Sequence, residues 1–71
     1  MKKTRLSRPK RIKLIREISR VYLGGGDRLD VSMRFPRMLD AVGAPDRYFP
    51  SEEEMVRLVR AGVAQCRATI A

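Results

Sequence analysis

Residues 30–40 read DVSMRFPRMLD, and the period of this stretch decides what kind of fold the chain can have. Extended one residue or two upstream, Leu29, Val31, Met33 and Phe35 alternate with Arg28, Asp30, Ser32 and Arg34. Strict alternation of apolar and polar residues is the signature of a half-buried strand. Pro36 cannot donate to a ladder, so it closes such a strand and can open a helix in its place. The pattern predicts a strand over 28–35 and a short helix over 36–43, stopping near Gly43 and Pro45. A single strand has no partner within its own chain and is not stable alone. The reading therefore asks for pairing with a second chain.

The flanks read as helices. Pro9 suits a helix start, where its missing N–H costs nothing, and Ile12, Leu14, Ile15, Ile18, Val21 and Tyr22 follow on one side. Lys10, Lys13, Arg16, Glu17 and Arg20 take the other side, and the GGG at 24–26 ends the helix, with Gly24 placed for a left-handed cap. The expected helix spans 9–23. Ser51 and Glu54 stand at capping-box spacing: the serine accepts from the amide three residues on, and the glutamate reaches back. Glu52, Glu53 and Glu54 suit the positive end of the helix dipole. Met55, Leu58, Val59, Gly62, Val63, Cys66 and Ile70 then form an apolar stripe over 51–70. Between these helices, Tyr48 and Phe49 read as packing plugs in a turn-rich connector. The expected fold is mainly α with one short strand, in a single domain over 9–71 preceded by a basic disordered arm over 1–8.

Charge is distributed as unevenly as hydropathy. The 71 residues carry a net charge of +8, and residues 1–20 hold nine Lys or Arg against one acid, Glu17. Residues 21–71 hold seven of each sign and are neutral. A one-sided basic block of this kind points to a polyanion, and nucleic acid is the first candidate. The contacts expected to phosphate are Lys2, Lys3, Arg5, Arg8, Lys10, Arg11, Lys13 and Arg16. With no histidine and one cysteine, Cys66, the chain offers neither an internal disulfide nor a zinc site. No cofactor, metal or enzymatic activity is expected, since a catalytic centre needs a nucleophile, base or metal in a defended site. No apolar run is long enough for a membrane span, so the default is a cytoplasmic protein without a membrane partner.

The order strand, short helix, longer helix, with the VSMRFPRMLD junction, resembles the ribbon-helix-helix repressors, the Arc-type family of phage and plasmid regulators. That resemblance covers residues 28–70. It implies a homodimer whose paired strands enter the DNA major groove, a known mode of readout. Asp30, Ser32 and Arg34 would then face base edges. Val31, Met33 and Phe35, with Met55, Val59 and Val63 of the last helix, would face the dimer or partner interface. Asp30 and the triple glutamate depart from a phosphate-binding surface, because both bring negative charge toward DNA. These residues favour a second reading, a phage-type interaction protein that grips a large host machine such as RNA polymerase. A third reading takes the arm as an RNA-binding extension.

Overall fold

Asp27 marks where the helix that contains DVSMRFPRMLD begins. In the computed structural model, which describes residues 5–70, its carboxylate accepts from the Asp30 amide at 3.2 Å, and the Asp30 carboxylate accepts from the Asp27 amide at 2.9 Å. This reciprocal capping box starts a helix at Arg28, and the helix runs without a break through Pro36. Three helices make up the described residues: α1 Arg8–Leu23, α2 Arg28–Val42 and α3 Glu52–Ile70. Among the described residues there is no strand. The expected strand over 28–35 and the separate short helix over 36–43 are one helix, α2.

Physical chemistry favours the helix for two reasons. A lone strand would leave its backbone groups unpaired, whereas a helix pairs most of them within the segment. The second reason is a better apolar register than the alternating one. Val31, Phe35, Met38 and Val42 recur at helical spacing and are all buried, while Leu29 and Met33 are 67% and 72% exposed. A proline inside a helix costs about 3 kcal/mol. Burying four such side chains contributes roughly 6–12 kcal/mol. Burial outweighs the proline, and Phe35 stays helical despite preceding it.

Both connections leave their helices through the same hydrogen-bond pattern. After α1, Gly25 donates to the Tyr22 carbonyl at 3.1 Å and Gly26 to the Val21 carbonyl at 2.9 Å. It is Gly25, at φ 87°, that takes the left-handed position, with Gly24 at φ −81°. After α2, Gly43 at φ 72° donates to Asp40 and Ala44 donates to Leu39. The Ser51 hydroxyl accepts from the Glu54 amide at 3.1 Å, as its spacing predicts. The Glu54 side chain is engaged elsewhere, as described below.

α1 packs along both other helices, whereas α2 and α3 barely meet. The shared core consists of Leu14, Ile18 and Val21 of α1, the four α2 residues, and Leu58 of α3. Tyr48 and Cys66 are buried as well. α1 and α3 approach closely at Gly62, where an added Cβ would lie 2.4 Å from Ile18 Cγ2. Among the expected interface residues, Val31 and Phe35 are enclosed in the chain's own core, and Met55 and Val59 pack against it. Val63 is half-buried, and Met33 faces solvent. No helix among the described residues is long and apolar enough to cross a membrane.

Candidate nucleic-acid interface

On α1, Lys13, Arg16 and Arg20 recur at three- and four-residue spacing and are exposed, so they form one basic stripe on the face opposite Leu14 and Ile18. The stripe ends at a cleft between α1 and α2 that is lined by Glu17, Arg20, Arg34 and Arg37 over the apolar floor of Val21, Met38 and Ala41. Arg20 donates to Glu17 at 3.2 Å, an exposed pair worth little and easily exchanged for another anion. Three guanidiniums, those of Arg20, Arg34 and Arg37, therefore line the cleft beside one carboxylate, and Lys13 and Arg16 continue the stripe along α1. Arginine presents a planar fork that matches phosphate or the guanine edge.

The helical form of residues 28–35 rearranges the expected base-reading side. In a strand, Asp30, Ser32 and Arg34 would share a face. On a helix, Ser32 and Arg34 lie about 160° apart. Only Arg34 reaches the cleft, and Ser32 is exposed on the far side of α2. Asp30 has an account that needs no nucleic acid, since its carboxylate caps its own helix. The ribbon that would have carried DNA readout is thus absent among the described residues.

The other expected contacts divide among three places. Lys2 and Lys3 lie outside the described residues. Arg5, Arg8 and Arg11 gather with Arg47 and Arg57 in a cleft at the start of α3, where Glu53 and Glu54 offset part of their charge. Arg11 is committed there: its Nη1 donates to Glu54 Oε1 at 3.4 Å, the same oxygen that accepts from the Tyr48 hydroxyl at 3.0 Å. Burial and that hydrogen bond push the Tyr48 phenol up from 10.0 to about 12, with the Arg11 charge acting the other way. Lys10 is half-buried over the end of α2, its Nζ 3.9 Å from where a Cβ on Gly43 would stand. An ammonium suits that position, because the C-terminal end of a helix is the negative end of its dipole.

Arg37, Arg47 and Arg57 were not among the residues expected from sequence. Arg37 was within reach of sequence reasoning, because it follows Arg34 by three residues and shares its face once residues 28–42 are read at helical period. Arg47 and Arg57 join the other arginines only through tertiary packing, for which no local signal exists. Phe49 is the opposite case: expected as a plug, it is 84% exposed.

No family model matches the chain, and no curated protein or solved structure matches it either.

Proposed function

We propose that this protein is a small, non-enzymatic regulator of transcription that binds nucleic acid, duplex DNA in the first instance. The observation that carries the reading is that the exposed α1 stripe of Lys13, Arg16 and Arg20 runs into the cleft lined by Arg34 and Arg37 of α2. In this mechanism the α1 stripe follows the phosphates and supplies affinity, while the two α2 arginines either grip a further phosphate or fork onto guanine. Each phosphate neutralised releases counterions, so binding must weaken as salt rises. With five cations engaged, the slope of log affinity against log salt is about −4 to −5. Anisotropy of a labelled duplex titrated at several salt concentrations reads that slope. Arg34→Ala with Arg37→Ala should flatten it by about 2. A protein that binds no duplex at low salt overturns the reading.

A second reading is supported by Leu29, Met33 and Phe49, large apolar side chains held in solvent. Leu29 and Met33, four residues apart, share one face of α2, and exposed apolar patches mark protein contacts. Here the chain grips a protein assembly such as RNA polymerase. Affinity capture from a nuclease-treated lysate tests it, and retention of no protein counts against it.

A further inference from the structure

Because α2 and α3 hardly touch, a groove of about 560 Å³ stays open between the second half of α2, the 43–51 connector and the start of α3. Phe35, Leu39, Tyr48 and Met55 form its apolar floor, and Phe49 stands in the same lining with its ring exposed. Upstream on α2, Leu29 and Met33 precede Pro36 of the groove by seven and three residues, which prolongs the apolar face along the helix. The charged part of the lining is three carboxylates, Asp40, Asp46 and Glu52, against one guanidinium, Arg28. In a chain of net charge +8 this is a local inversion of sign.

That inversion selects the occupant. A nucleic acid is repelled by the carboxylates, and an acidic peptide is repelled in the same way. A helix with an apolar stripe flanked by Lys and Arg places its stripe on the floor and its cations against Asp40, Asp46 and Glu52, the helix-in-groove mode of recognition. We infer that this groove docks a basic, amphipathic helix from a partner protein. The inference deepens the protein-partner reading and rests on it.

The test uses the full chain, uniformly labelled with nitrogen-15, and two synthetic helices of about 18 residues, long enough to hold helical structure. Both carry the same leucine stripe, one flanked by lysine and the other by glutamate. The lysine peptide is expected to bind and to shift the amides of Leu39, Phe49 and Met55, while the glutamate peptide does not bind. Phe49→Ala should weaken binding about fivefold or more, as truncating an aromatic anchor does. Asp40→Lys with Asp46→Lys should weaken it about threefold or more. All three positions are exposed, so the variants are expected to fold, and far-ultraviolet circular dichroism checks that they do. Equal binding of both peptides, shifts confined to Lys13, Arg16 and Arg20, or a sedimenting dimer that already covers the groove overturns the inference. If wild type and Phe49→Ala capture the same lysate protein equally well, the groove is wrong while the protein-partner reading survives.

Discussion

Glu54 occupies a position where local and tertiary demands compete, and the tertiary demand wins. Its spacing from Ser51 predicts that its carboxylate turns back to complete a capping box. The serine half forms, but the carboxylate instead collects the Tyr48 hydroxyl and the Arg11 guanidinium, tying α3 to the connector and to α1. The serine half was legible because it involves four consecutive residues. The Arg11 contact spans 43 residues and leaves no trace in local sequence. The arrangement has a pH signature. The folded-state pKa of Tyr48, about 12, lies above its ordinary value of 10.0, so the protonated phenol favours folding. That contribution is complete below pH 10 and is lost as pH rises through 12. In a Tyr22→Phe variant, where Tyr48 is the one tyrosine left, tyrosinate absorbance should appear near pH 12, or earlier only together with unfolding. Ionisation near pH 10 in a folded protein would refute this account of the contact.

At the scale of elements, α1 and α3 were readable because their apolar residues fit one period, and Pro9, the glycines and Ser51 mark their ends. α2 was not, because Leu29, Val31, Met33 and Phe35 fit a period of two while Val31, Phe35, Met38 and Val42 fit 3.6. The exposed Leu29 and Met33 create the false register, and Pro36 reinforces it. The decisive signal, Asp27 with Asp30 at capping-box spacing, uses two acids and is easily read as part of a polar face. Pro36 still weakens the helix it interrupts, since it has no N–H to offer the Ser32 carbonyl four residues earlier. Pro36→Ala should therefore raise unfolding free energy by about 1–3 kcal/mol in urea titrations. A strand at this position would show no such gain. The α1–α3 crossing predicts the reverse effect. Gly62→Ala drives a methyl into Ile18 and should cost about 1–3 kcal/mol, and Ile18→Ala in the same chain should recover part of the loss relative to the two single costs added.

For the whole molecule, the charge asymmetry was plain from the first twenty residues, yet where that charge acts was not. Folding commits Arg11 to Glu54 and leaves Lys10 half-buried beside Gly43 at the end of α2. It adds Arg37 to Arg20 and Arg34. The described residues extend 41 Å in their longest dimension, the length of about 12 base pairs at 3.4 Å each. The cleft between α1 and α2 and the carboxylate-rimmed groove share no lining residue. The most direct test follows backbone chemical shifts while duplex DNA is added. The carbon shifts of residues 28–42 should be helical throughout, and the amides of Lys13, Arg16, Arg20, Arg34 and Arg37 should move while Ser32 stays still. Extended-chain shifts over 28–35, or Ser32 moving together with Arg34, would contradict the helical account of DVSMRFPRMLD and the interface built on it.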